Sequence, residues 1–364
     1  MQHPFPVAHP EVKTVQTNKT LISKLSKMSN FQDLPDELIL EILSYSEINI
    51  RIRCGQVSRR IRKISYDDSL WVTASLKKKI VKIELLEMIL AKGCKILNIY
   101  NCTILGSLDS NIRSQLRVLN LSLIFTAGYP IYPIYRFYEE LLLCCCSLQC
   151  LLIEGAWLTP KIAKSICKNG KTLEILNLRY SSVDEISTRS PQRNGELTLG
   201  SSYLQEIFEY CQELKEVNFN EVEGLNSGDL EVLAKSIPPN VEKLNLTGSD
   251  LMDTHVKILL SRCNKIKILS LEATLITENS LTHIRRCLNL SLEELSFLGT
   301  RYTSNTGLLE LKSMPRLKRL NFYNVFYHER DCEEIQKLRQ HLPHLMISTS
   351  YPWVSPKRKY SLPT

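Results

Sequence analysis

Enzymatic chemistry needs a nucleophile, a base and a group that orients the base, or else a set of ligands at metal spacing. The seven histidines are His3, His9, His255, His283, His328, His341 and His344. His283 and Cys287 stand four apart and would share a helix face, while His341 and His344 flank Pro343. Neither pair has the third partner that a Cys–His or metal site requires. The twelve cysteines contain no C-x-x-C pair, and the consecutive Cys144, Cys145 and Cys146 have poor geometry for one ion. Cys145, Cys211 and Cys263 each precede by three residues an aliphatic that opens a strand-like motif (Leu148, Leu214, Ile266), which suits small buried side chains at helix ends. The glycine count of 13 argues against a phosphate-cradling enzyme. The expectation is a binding protein with no catalytic residue, no metal and no cofactor.

The residues suited to binding are basic and aromatic. Lys and Arg total 46 against 38 acids, a net charge of +8. Arg51, Arg53, Arg59, Arg60, Arg62 and Lys63 fall in one stretch without an acid. Such a block meets an acidic protein, nucleic acid or an import receptor. It lacks the interleaved aromatics of a nucleic-acid module, so nucleic acid is not the expected partner. No run of 18 apolar residues is present, so no membrane partner is expected. The opening MQHPFPVAHPEV has prolines where a secretory signal has an apolar core. With twelve cysteines and no secretory signal, this points to a reducing compartment and free thiols.

The elements that must position these residues are repeats. The pattern L-x-x-L-x-L occurs ten times with conservative swaps, from Cys94/Leu97/Ile99 to Leu342/Leu345/Ile347. Its central residues are separated by 22, 32, 25, 41, 27, 25, 26, 25 and 25. A period near 25 with this motif marks leucine-rich repeats, each a strand plus a helix that buries its apolar face only by stacking on its neighbours. The helix halves show as Leu230/Leu233/Ile237, Val256/Leu259/Leu260, Leu281/Ile284 and Ile335/Leu338. Six repeats place a small residue three past the last aliphatic: Cys102, Ala156, Ser181, Ser249, Thr274 and Thr300. This resembles the cysteine-containing repeat subtype. The two long spacings hold insertions at 126–138 and 181–202, expected as loops on one face, the second disordered without a partner.

Before the repeats, residues 31–71 hold two short amphipathic helices, one opening at Leu34-Pro35 with Leu38, Ile42 and Leu43 on one face, the next with Val57, Ile61 and Ile64. A unit this small is marginal alone and should dock on something. The pattern L-P-x-E-L-x-x-x-I, then V-S-R-x-x-R-x-I-S, then D-x-L-W, resembles the F-box. With the repeats after it, the chain resembles the F-box/leucine-rich-repeat family.

The resemblance implies an α/β chain: an N-terminal helical F-box followed by a curved leucine-rich-repeat solenoid of about ten strand–helix units. The expected organisation is a flexible tail at 1–30, with Met28 an alternative start, and the F-box at 31–72. A connecting helical segment at 73–92, repeats at 93–347 and a tail at 348–364 follow. Family members are non-catalytic substrate receptors of Skp–cullin–F-box ubiquitin ligases, nuclear and cytoplasmic. Implied partners are an acidic Skp-type adaptor, cullin and RING subunits through it, a protein substrate, phosphorylated or a cell-cycle regulator in some members, and a Cks-type accessory in some. Leu34, Pro35, Leu38, Ile42, Val57, Ile61 and Trp71 would form the adaptor interface or its support. One departure stands out: the family's middle helix carries Asp-Leu-Leu where this chain has Ile50, Arg51 and Ile52. An unpaired buried guanidinium is costly, so Arg51 is expected to snorkel outward or to weaken adaptor binding. A leucine-rich-repeat scaffold or inhibitor acting without ubiquitin transfer is the alternative.

Residues just past the last strand aliphatic should line the concave face. The substrate-binding candidates there are Arg179, Tyr180, Glu221, Glu272, Arg301, Tyr302, Tyr323, Phe326 and Tyr327. Exposed aromatics and arginine are the residue types that dominate interface energies. In the tail, Ser355-Pro356 beside Lys357, Arg358 and Lys359 suits a proline-directed phosphosite next to an import-like patch.

Overall fold

The computed structural model describes residues 31–109, 111–122, 125–126, 132–183, 199–300, 305–322 and 333–348. Two compact units divide between Val72 and Thr73.

The first unit is helical: α1 (Asp36–Ser44), α2 (Ile48–Cys54) and α3 (Arg59–Ser65), between 3-10 turns at Phe31–Asp33 and Asp68–Trp71. Local chemistry sets the helix starts. Pro35 precedes α1, and Asp36 and Glu37 place negative charge in its first turn. Ser58 caps α3 by accepting the Ile61 amide at 3.1 Å. Ile39, Leu43, Ile48, Ile61, Ile64, Leu70 and Trp71 are buried. The Trp71 indole N–H donates to the Ser65 carbonyl at 3.2 Å, and its ring stacks on Tyr66 with centroids 6.0 Å apart.

The second unit is one parallel sheet of eleven strands with helices between them. The strands are β1 (Thr73–Lys77), β3 (Ile96–Tyr100), β5 (Val118–Ser122), β7 (Cys150–Glu154), β8 (Ile175–Asn177) and β9 (Glu216–Asn218). They continue as β10 (Lys243–Asn245), β11 (Ile268–Ser270), β12 (Glu294–Ser296), β13 (Arg319–Asn321) and β14 (Met346–Ser348). A second, three-stranded sheet joins β2 (Ile80–Lys82), β4 (Thr103–Leu105) and β6 (Phe125–Thr126). The helices are α4 (Ile83–Ala91), α5 (Tyr132–Leu143), α6 (Pro160–Lys168), α7 (Leu199–Tyr210), α8 (Ser227–Ser236), α9 (Asp253–Arg262), α10 (Asn279–Leu288) and α11 (Glu333–His341).

Central aliphatics pair in the register that the repeat spacing predicts from Leu97 to Leu320. The last repeat differs: Leu320 pairs with Ile347 rather than Leu345. The two-residue slip keeps Ile347 on the same face, because side chains alternate with period 2. Residues 73–92 also differ from the expected connecting helix. They form a complete unit of β1, β2 and α4, making eleven strands instead of ten. The signal was present as Trp71/Ala74/Leu76, a motif disguised by its tryptophan and alanine. Each expected insertion runs into a helix: α5 takes in 132–138 of the first, and α7 takes in 199–202 of the second, of which 184–198 lie outside the described residues.

The cysteines at helix ends are core residues. Burial pushes the Cys145 and Cys211 thiols up to about 12 and Cys263 up to about 11, so they stay protonated and unreactive. At the start of α9, the His255 ring accepts the Met252 amide through Nδ1 at 3.0 Å and faces Ser227 Oγ through Nε2 at 3.3 Å. Only an unprotonated Nδ1 can do this. Burial lowers the His255 pKa, with Glu231 and Ser227 opposing. The unfolded chain then takes up the proton more readily, so the contribution is full above about pH 6.5 and shrinks as pH falls through the lower folded value. Thermal melts should show a stability loss between pH 7 and 5.5 that His255→Asn removes.

Candidate functional site

Two surfaces are candidates, one in each unit. In the helical unit, α1 has two apolar faces rather than one. Ile39 and Leu43 turn inward, while half-buried Leu38 and exposed Ile42 and Tyr45 follow the 38, 42, 45 stripe. The exposed large apolar side chains of this unit are Ile42 (46%), Tyr45 (79%), Ile50 (49%) and Val57 (64%), with Phe31 and Val72 also exposed at its two ends. Pro35 is also exposed and Leu34 half-buried. Ile61 and Trp71, read from sequence as interface or support, are core residues and can only support the surface. Tyr45 and Ile50 were missed; the signal for Tyr45 was the 38, 42, 45 series one residue out of phase with Ile39 and Leu43, whereas Ile50 stands on the next helix, where no spacing marked it.

Arg51 corrects the expectation of snorkelling. It is buried, and its guanidinium donates from Nε to the Leu43 carbonyl at 3.0 Å, from Nη2 to Ser44 at 2.9 Å, and from Nη1 to the Leu70 carbonyl. Two of these acceptors are carbonyls at the C-terminal end of α1, where the helix dipole favours a cation. Burial lowers its pKa, yet an arginine stays charged. The apolar slot is therefore filled by a three-armed polar clamp. The basic run is partly spent in the same way: Arg60 pairs with Asp36 at 2.6 Å and with the Leu34 carbonyl, and Arg62 donates to the Gly55 carbonyl at 2.8 Å. Arg53, Arg59 and Lys63 remain as exposed charge.

In the repeat unit the sheet face carries three rows. At the strand entries, charges alternate and cancel: Glu174–Lys215 at 2.7 Å, Glu242–Lys267 at 2.7 Å, Glu293–Lys318 at 2.6 Å, and also Glu216–Lys243 and Glu294–Arg319. Exposed pairs of this kind contribute about 0–1 kcal/mol each, but they leave no net charge for a partner. The middle row is uncharged, with Asn177, Asn218, Asn245, Ser270 and Ser296. The exit row holds Glu154, Arg179, Asn220, Thr247 and Glu272.

Just past that row the backbone turns left-handed in eight described units: Lys78, Asn101, Gly155, Tyr180, Glu221, Gly248, Ala273 and Gly299. The cause is a main-chain link, since this residue's N–H reaches the next repeat's carbonyl. Tyr180 donates to Asn220 at 2.9 Å and Glu221 to Thr247 at 2.7 Å. Glycine adopts this conformation freely; Tyr180 (φ +60°) and Glu221 (φ +52°) do so at about 1 kcal/mol each. Gly248 makes room for Glu221, because a Cβ there would lie 2.8 Å from the Glu221 Cγ. Arg179 rests over the Tyr180 ring, Cζ 4.3 Å from its centroid, and also donates to the Tyr180 hydroxyl. Glu272 accepts from Ser296 Oγ. Of the sequence-derived substrate candidates, the structure brings Arg179, Tyr180 and Glu221 onto adjacent repeats and places Glu272 on the same row. Arg301, Tyr302, Tyr323, Phe326 and Tyr327 lie outside the described residues, as do both tails.

Among the described residues, no group of three metal-ligating side chains occurs, and no helix is long and apolar enough to cross a membrane. Residues 31–77 match the F-box-like family model. The helical unit is thus an F-box-like domain, followed by a repeat sheet in which strands and helices alternate. Among solved structures, the chain is similar to one in the crystal structure of the Rad7 and Elc1 complex in yeast. The identity is 13% and the TM-score 0.47, covering 92% of this chain and 98% of that chain.

Proposed function

We propose that this chain is the substrate-recognition subunit of a Skp–cullin–F-box type ubiquitin ligase. The observation that carries the reading is the F-box-like domain at residues 31–77 with a closed core and a set of large apolar side chains left outside it. Ile42, Tyr45, Ile50 and Val57 offer apolar anchors, and Arg53, Arg59 and Lys63 complement an acidic adaptor and speed its encounter. Cullin and RING subunits join through that adaptor. The repeat sheet holds the substrate near the conjugating enzyme, so the rate gain comes from effective concentration and no residue of this chain reacts. The stretches LPDELILEIL, EGAWLTP and LPHLMIS resemble the S-phase-kinase-associated F-box protein, which favours a nuclear and cytoplasmic cell-cycle role. In that protein an aromatic residue and a Cks-type accessory help hold the substrate; the corresponding position here is Glu221, so this chain's substrate differs in chemistry.

The test is co-purification of the full chain with a Skp-type adaptor. Stoichiometric capture supports the receptor. A chain that stays soluble, monomeric and without adaptor removes that reading in favour of a scaffold acting without ubiquitin transfer.

A further inference from the structure

We propose that the exit row of the sheet between β7 and β9 is a docking site for an extended, basic segment of the protein partner, and not for a phosphorylated one. The proposal rests on the receptor reading above and names the substrate chemistry of the repeat face.

The charge distribution selects the partner. From β8 to β13 the entry row of the sheet is neutralised by its own ion pairs, and the middle row is uncharged. The exit row differs. The carboxylates of Glu154 and Glu221, on either side of Arg179 and Tyr180, have no hydrogen bond or ion pair within the described residues, although Glu154 lies beside Arg179 in the strand register. Arg179 turns instead onto the ring of Tyr180. An acidic stretch in a chain of net charge +8 runs against the average of the molecule. Either ligand would meet two carboxylates and one guanidinium there, and that guanidinium is already held on the Tyr180 ring, so the net negative balance favours a Lys or Arg side chain over a phosphate.

A second observation places the contact. The Nε of Arg179 and the Oδ1 of Asn220 are both shielded from solvent and both lack a hydrogen-bond partner. They stand at matching positions on neighbouring strands, where Asn177 pairs with Asn218. Shielded polar atoms without partners are rare in folded proteins, and the free state is held back by them. Rotation of either side chain toward an arriving main chain supplies an acceptor for Nε and a donor for Oδ1. A peptide group carries both. The site therefore fits an extended segment with one amide over Arg179 and Asn220 and cationic side chains directed outward to Glu154 and Glu221 on either side.

The probes are three fluorescein-labelled nonapeptides with alternating Ser and Lys, Ser and Glu, or phosphoserine and Gly. Anisotropy is read against the full chain bound to its adaptor, at about 50 and 300 mM salt. The Lys peptide should bind, weaken with salt and weaken at least tenfold with Glu154→Gln/Glu221→Gln. Glu84→Gln/Glu209→Gln makes the same change in net charge on helices α4 and α7 and should leave binding unchanged. Tyr180→Ala should weaken the Lys peptide several-fold. Equal binding of the Lys peptide by both double variants, tighter binding of the phosphoserine peptide, or no binding by any peptide would overturn the proposal. Adaptor capture by the Glu154→Gln/Glu221→Gln chain, measured on the same preparation, shows that such a failure concerns the sheet face and not the receptor reading.

Discussion

An Ile42→Asp/Val57→Asp chain should melt like wild type and yet lose capture of a Skp-type adaptor by about 100-fold or more. Both side chains are about half or more in solvent, at 46% and 64%, so their replacement removes no core contact. Each would place a charge in the centre of an apolar interface, where it lacks a partner and is costly to desolvate. Trp71→Ala is the necessary contrast. That indole is fully buried, stacks on Tyr66 and bonds to Ser65, so its loss should cost about 3–5 kcal/mol. Capture would fall there through unfolding of the helical unit. Circular dichroism and pull-down on the same samples separate the two routes. Capture undiminished in the Ile42/Val57 variant, with the fold intact, would show that the exposed apolar surface is not the adaptor contact.

The second large effect is at Arg51. Arg51→Ala leaves the Leu70 and Ser44 carbonyls without their guanidinium donors and opens a void, for an expected loss of about 3 kcal/mol. Arg51→Lys should rescue little, because one ammonium cannot span three carbonyls set around a planar fork. Arg51→Leu restores the apolar type that the F-box resemblance implies and should cost less, about 1–2 kcal/mol, by filling the void while leaving the carbonyls unmet. Denaturant melts of the three variants rank them. An Arg51→Ala chain as stable as wild type would mean that the clamp contributes nothing net. Adaptor capture should survive in Arg51→Leu, since the side chain lies inside the unit and not on its surface.

The repeat architecture was legible in the linear chain, because a 25-residue period of aliphatics has one way to bury its apolar faces. So were the helical segment before the repeats, the burial of the helix-end cysteines, and the register from Leu97 to Leu320. Spacing left open which of two apolar series on α1 faces inward, since Leu38/Ile42 and Ile39/Leu43 have the same spacing and the same chemistry; only packing against α3 and the Trp71 turn separates them. The fate of Arg51 was equally undetermined, because its three acceptors come from the end of α1 (Leu43, Ser44) and from Leu70, which meet around the guanidinium only after the helices pack. The eleventh strand was hidden by Trp71 and Ala74, and the slip to Ile347 was fixed by pairing rather than spacing. On the sheet face, sequence placed Arg179, Tyr180 and Glu221 in view. Only the folded stack decided that the entry charges cancel while Glu154 and Glu221 stay unpaired, since charge pairing between repeats depends on side-chain reach across strands, which no linear spacing encodes.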